Sequence, residues 1–273
     1  MISLEWKERL THDVNDFFIN NLPKAKYDIE IIYNVYPVRV NNSIPKEVIV
    51  FVAKELAAKL DKKSTEYQEF YNTLWDKKGE NGKLVMIYLF ARFIKKNPDF
   101  FLPAIENKLE DKDSSMVNLL LEKTMLILLK KNPEKYLSLV FKWLKKDNSE
   151  LQMNLLKLLL KYSKSEPEDL AKLLDKIKYL WLFGSESIVK SGIFFLKQVA
   201  SIDSDLYVSF FVQNQKTHDP ALVEILCGSL NDFHQELVPI VDSWTASGNA
   251  RLKKAALTGQ KHLKRKGKQL QNG

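Results

Sequence analysis

Between Lys112 and Lys164 the chain reads KDSSMVNLLLEKTMLILLKKNPEKYLSLVFKWLKKDNSELQMNLLKLLLKYSK. Three apolar runs at helical spacing are separated by Asn132-Pro133-Glu134 and by Lys145-Lys146-Asp147-Asn148-Ser149. Proline suits the first turn of a helix, and Asn or Ser before an apolar run suits its N-cap. The pattern predicts helix, turn, helix, turn, helix, with polar residues at fixed places on otherwise apolar cylinders.

Upstream, Leu4, Leu10, Val14, Phe17, Phe18 and Leu22 fall at helical spacing and predict an amphipathic helix over 1–22. Lys24 to Ser43 is less regular. Pro23 and Pro37 break it, Ile29, Ile31, Ile32 and Tyr33 have strand propensity, and a short helix with a long loop is the reading adopted. A helix is expected from Pro45 to Leu60, with Pro45 at its first position. Another is expected from Thr65 to Trp75, with Tyr67, Phe70, Tyr71 and Leu74 on one face.

From Trp75 onward the unit repeats. The turns Asn97-Pro98-Asp99, Asn132-Pro133-Glu134, Glu166-Pro167-Glu168 and Asp203-Ser204-Asp205 recur at intervals of 35, 34 and 37 residues. Looser copies follow, with helices near Asp219–Asn231 and Gly248–Lys266. A period of this length predicts stacked helix pairs. The Trp, Gly, Tyr and Ala signature of tetratricopeptide repeats is absent, so the expected fold is all-α, a right-handed solenoid of HEAT-like antiparallel helix pairs. One domain is expected: N-terminal helices and an irregular loop over 1–74, helix pairs over 75–266, and a flexible basic tail over 267–273.

Each long helix carries a polar stripe. Ser114, Asn118 and Glu122 share one face, as do Glu150, Asn154, Lys157 and Lys161 on the next. Lys190, Phe194 and Lys197 follow, then Arg251, Lys254, Lys261 and Arg265. In a right-handed stack such helices line the concave surface, giving a groove polar in the middle and basic at one end. The solvated side of any amphipathic helix shows the same pattern.

Charge sharpens the picture. The net charge is +8, from 42 basic and 34 acidic residues. Residues 251–273 contain eight basic residues and no acid, so the first 250 residues are balanced. A basic end can neutralise phosphates and release counterions. Nine Gly and nine Pro are few for 273 residues, which favours helices. The single Cys227 excludes an intramolecular disulfide framework, and beside Leu226 it reads as an inert core thiol. His12, His218, His234 and His262 are scattered without metal spacing. No Walker loop, G-x-S-x-G, H-E-x-x-H or Cys-x-x-Cys occurs, so no cofactor or metal is implied. Trp75, Trp143 and Trp181 near helix ends are read as core residues. No run is apolar enough to span a bilayer, and the N-terminus lacks a signal-peptide core, so a cytoplasmic protein, monomeric and not in the membrane, is expected.

Three segments carry a family resemblance: Thr73-Leu74-Trp75-Asp76-Lys77, Lys142-Trp143-Leu144-Lys145-Lys146-Asp147-Asn148, and Phe211-Val212-Gln213-Asn214. They resemble the AlkD-type DNA glycosylases, HEAT-like proteins associated with repair of alkylated DNA. PEKYLSLVFKWLKKDNSELQ resembles them without a gap, including the Trp143, Asp147, Asn148 and Gln152 positions. The resemblance covers roughly 45–216, and more weakly Tyr33-Asn34-Val35 and Ile44-Pro45. It implies a concave site in which a Trp and an Asp embrace the damaged nucleotide and the carboxylate stabilises the cationic sugar. Here the Trp position holds Ser114 and the Asp position Asn118. The family's Arg position holds Met153, its neighbouring Trp position Glu150, and a later Trp position Phe194, with Lys190 and Lys197 keeping that helix basic.

Asn118 has a carboxylate's shape without its charge, and a preorganised electrostatic group is typically worth ~2.7–4 kcal/mol in a transition state. Glu122 lies about 6 Å further along the helix axis, and Glu150 would repel a phosphate. No catalytic residue is therefore assigned, with Asn118, Glu122 and Glu150 the weak candidates. Three functions follow. The first is non-catalytic DNA binding through the phosphate backbone, using Lys190, Phe194, Lys197, Arg251, Lys254, Lys261 and Arg265. The second is an alkylpurine glycosylase with a displaced carboxylate at Glu122 or Glu150. The third is a scaffold whose groove grips a protein partner.

Overall fold

The computed structural model describes residues 3–21 and 43–271. Its helices are α1 (Ser3–Asn21), α2 (Lys46–Leu60), α3 (Gln68–Lys77), α4 (Gly79–Phe93), α5 (Pro98–Glu106), α6 (Ser114–Lys131) and α7 (Pro133–Leu144). They continue with α8 (Ser149–Ser165), α9 (Leu170–Trp181), α10 (Glu186–Ile202), α11 (Ser204–Gln213), α12 (Pro220–Ser229), α13 (Leu237–Thr245) and α14 (Ala250–Gln271). Two 3-10 turns, Asp61–Glu66 and Pro167–Asp169, precede α3 and α9. Among the described residues there is no strand, and their fold is all-α. Of the short helix and long loop expected over Lys24–Ser43, residues 24–42, with Tyr33-Asn34-Val35, lie outside the described residues.

The repeated turns start helices as the sequence predicts: α5 begins at Pro98, α7 at Pro133, and α11 at Ser204, while Pro167 opens the 3-10 turn before α9. Side chains hold these starts. Asn148 accepts the Leu151 N–H (3.0 Å), Asp203 that of Leu206 (2.9 Å) and Asp219 that of Leu222 (2.7 Å), each satisfying a donor the helix leaves orphaned. Some boundaries move. Pro45 stands one residue before α2, and Thr65 belongs to the 3-10 turn ahead of α3. The sequence reading missed α13. It also ended the last helix at Lys266, whereas α14 runs to Gln271, with Leu263 buried and Gly267 close against the Phe233 ring.

The chain forms two compact units, Met1–Tyr136 and Leu137–Gly273. In the first, α4 packs against α2, α3, α5 and α6, and α1 packs on α2 with the Trp6 ring 5.4 Å from that of Phe51, while Leu10, Val14 and Phe17 are buried. Its centre is an aromatic cluster of Tyr71, Phe90, Phe93 and Phe101, with ring centroids 4.9–6.0 Å apart. In the second, α8, α10, α12 and α14 lie in a row, each packed on the next, while α13 packs on α14 and α11 on α10. Trp143, Trp181 and Tyr207 are fully buried there, each aromatic contributing a large apolar area to the core. No described helix is long and apolar enough to cross a membrane.

Candidate nucleic-acid interface

The row α10, α12, α14 exists because its helices approach closely. A side chain at Gly192 would meet Ile225 at 2.7 Å, and one at Gly228 would meet Ile193 at 2.6 Å, so each helix offers a glycine to the other's isoleucine. Gly259 of α14 sits similarly against Cys227. Helical spacing then brings Glu186 and Lys190 of α10, Glu224 of α12, and Arg251 and Lys254 of α14 onto a shared face. The result is a groove of about 640 Å³ lined by Glu186, Lys190, Ile193, Glu224, Arg251 and Lys254, with Val189, Cys227 and Ala255 among its apolar residues.

Three of the seven expected DNA-binding residues thus meet in one groove: Lys190, Arg251 and Lys254. Lys261 and Arg265 continue the exposed stripe of α14. Lys197 and Phe194 are half-buried on α10 and do not line the groove. Two glutamates that sequence reasoning did not place there accompany the cations. Glu186 accepts from Lys190 at 2.7 Å, and Glu224 from the Arg251 Nε at 2.8 Å. The Lys190 hydrogen bond holds the Glu186 carboxyl below its usual range, and the same bond raises the Lys190 ammonium. Glu186 stands one turn before Lys190 and was legible from spacing; Glu224 reaches Arg251 only across the helix pair.

No protein-family model and no curated protein matches the chain.

The weak catalytic candidates lie elsewhere. Asn118 and Glu122 sit half-buried on α6 in the first unit, with Ser114 at its first residue, and Glu122 lies 4.0 Å from Lys123. Glu150 is exposed in the first turn of α8, and Met153 is half-buried on that helix. Ahead of α6 a polar network fixes the turn. Asp111 accepts the Trp75 indole N–H (2.8 Å), the Lys83 ammonium (2.8 Å) and the Asp113 N–H (2.8 Å), while Asp113 caps Met116 (3.2 Å). Burial pushes the Asp111 carboxyl up, but Lys83, the Asp113 N–H and Trp75 together outweigh it and hold it below the ordinary carboxylate range.

Burial pushes the Cys227 thiol up to about 12, which keeps it protonated. Among the described residues no cluster of His, Cys, Asp and Glu could hold a metal ion.

Proposed function

We propose that the protein is a cytoplasmic, monomeric HEAT-like solenoid of the AlkD type that binds DNA through its phosphate backbone and lacks glycosylase chemistry. The observation that supports this reading is the gathering of Lys190, Arg251 and Lys254 in one groove, continued by Lys261 and Arg265 along a helix without a single acid. Such contacts neutralise phosphates without reading bases, so they bind any sequence and weaken with salt. Asn118 in place of a carboxylate removes the charge that would stabilise an oxocarbenium-like sugar.

The test is binding of a fluorescent duplex across a salt series. The full chain is compared with a variant carrying R251E, K254E, K261E and R265E. The core side of α14, Leu252, Ala256 and Leu263, is untouched by these changes. Affinity that falls steeply with salt and collapses on charge reversal supports the proposal; each lost phosphate contact lowers the salt slope by about 0.9. Affinity no better than that of a neutral protein overturns it. Base release from alkylated DNA, lost on E122Q or E150Q, would establish the glycosylase alternative instead. The paired Glu186 and Glu224 favour a second reading, a protein partner of mixed charge in the same groove.

A further inference from the structure

The second unit carries an aromatic edge that the basic groove does not use. Phe183 and Tyr179 are 84% and 70% exposed, far more than any other large apolar side chain among the described residues. Phe183 also has φ of 55°, the left-handed region that a bulky non-glycine residue avoids. Two contacts hold it there. Its N–H donates to Asp219 Oδ2 at 2.9 Å, and Asp219 is itself buried and capping α12 through Leu222. Gly184 follows, its N–H bonded to the Trp181 carbonyl at 3.0 Å. Strain maintained by a buried carboxylate, with the product an aromatic ring pointed at solvent, is the kind of backbone cost that persists where a contact depends on it.

Beside this edge lies a cavity of about 290 Å³, walled by Leu144, Leu156, Ile177, Trp181 and Ile188, with Tyr179 at its side. Two of its polar neighbours donate to the backbone. Gln152 Nε2 donates to the Leu144 and Lys146 carbonyls, and Ser191 Oγ to the Ile188 carbonyl. Its walls are mainly aliphatic and aromatic, which suits an apolar side chain. The surroundings are basic. Lys145 lines the cavity, the Lys178 ammonium stands 5.7 Å from the Tyr179 ring, and Lys176 lies 5.4 Å from the Phe141 ring. Across 141–147 and 175–184 there are five lysines and two acids, Asp147 and Asp175, and the nearby Asp219 is engaged by the Phe183 N–H.

We infer that this edge docks an acidic protein segment. One leucine or aromatic anchor of that segment enters the Leu144–Trp181 cavity beside Tyr179, its carboxylates face Lys145 and Lys178, and the exposed Phe183 gives the segment a second apolar contact outside the cavity. A few desolvated aromatic anchors carry most of the energy of such an interface, and the rim charges set partner choice and on-rate. The inference is independent of DNA binding in the groove, since none of the groove residues lines this cavity.

The experiment is selection of a random displayed dodecamer peptide library on the full chain. Winners are then titrated as fluorescent peptides against the wild type, F183G and K145E, with fluorescent oligo-dT as a parallel probe. F183G is the informative variant, because glycine occupies the left-handed region without strain and should fold at least as stably. The expected winners carry an apolar anchor among Asp and Glu, and lose at least tenfold on F183G and several-fold on K145E, with Tm unchanged or raised. Winners indifferent to F183G, winners rich in Lys and Arg, or no winners at all overturn the inference. So does Phe183-dependent binding of oligo-dT without any peptide binding, which would make the edge a base-stacking platform.

Discussion

Lys83 and Lys254 are both cations beside carboxylates or their neighbours, yet the molecule uses them in opposite ways. Lys83 is only 14% exposed at its side chain, lies 2.8 Å from Asp111 and 3.6 Å from Asp113, and stands 5.1 Å from the Trp75 ring. Its charge is consumed in joining α3, α4 and the turn before α6. Lys254 is exposed on the groove, and the two cations around it are matched by glutamates on long, solvated side chains. Desolvated pairs are costly to break, whereas exposed pairs contribute little and exchange partners readily. The charge of Lys83 therefore builds structure, whereas that of Lys254 is left at the solvated surface.

The contrast breaks most visibly at Asp111. D111N leaves Trp75, Lys83 and the Asp113 N–H with a neutral partner that cannot satisfy all three, and should cost about 2–3 kcal/mol in urea unfolding. pH adds a signature. The folded carboxyl of Asp111 is lowered, so its contribution is fully present above the unfolded value near 3.9 and lost as pH falls through the lower folded value. The stability gap between wild type and D111N should be constant above roughly pH 5 and close below pH 4. A gap that widens in acid would show that Asp111 is not held ionised by its neighbours.

Close helix approach in the second unit is the next test. G192A and G228A each place a methyl within 3 Å of an isoleucine. Overpacking costs about 1–3 kcal/mol and the gain in helix propensity returns nearly 1, so a net loss of about 1 kcal/mol per site is expected. Calorimetry on the single variants checks it, and stabilisation by either alanine would mean the helices have room to spare.

How much of this was legible beforehand depends on the range of the interaction. The Pro and Asn turns set helix starts through local bonds, so Pro98, Pro133, Asn148 and Ser204 could be read directly from the chain. The residues that carry the family resemblance act in the same local way: Trp143 is buried, Asn148 caps α8, and Gln152 ties off the Leu144 and Lys146 carbonyls. They speak for the turn, and hence for architecture more than activity. α13 escaped because Pro239 and a short nine-residue run interrupt the period. The Lys83–Asp111 network, the Glu224–Arg251 pair and the Asp219 bond that holds Phe183 span 27–36 residues, beyond any spacing rule.

The smallest predicted effect tests the groove from its acidic side. In the proposed DNA-binding mode Glu186 and Glu224, paired with Lys190 and Arg251, compete with phosphate for these cations, so a nucleic-acid ligand must displace them or accept their repulsion. Removing that competition by E186Q with E224Q should raise duplex affinity a few-fold and steepen its salt dependence, because two more cations are released to phosphates. The fold should be indifferent, since both pairs are exposed. The same double change weakens a protein partner of mixed charge, for which the glutamates are contacts. The sign of the affinity change therefore decides between the two occupants of the groove, where its size alone would not.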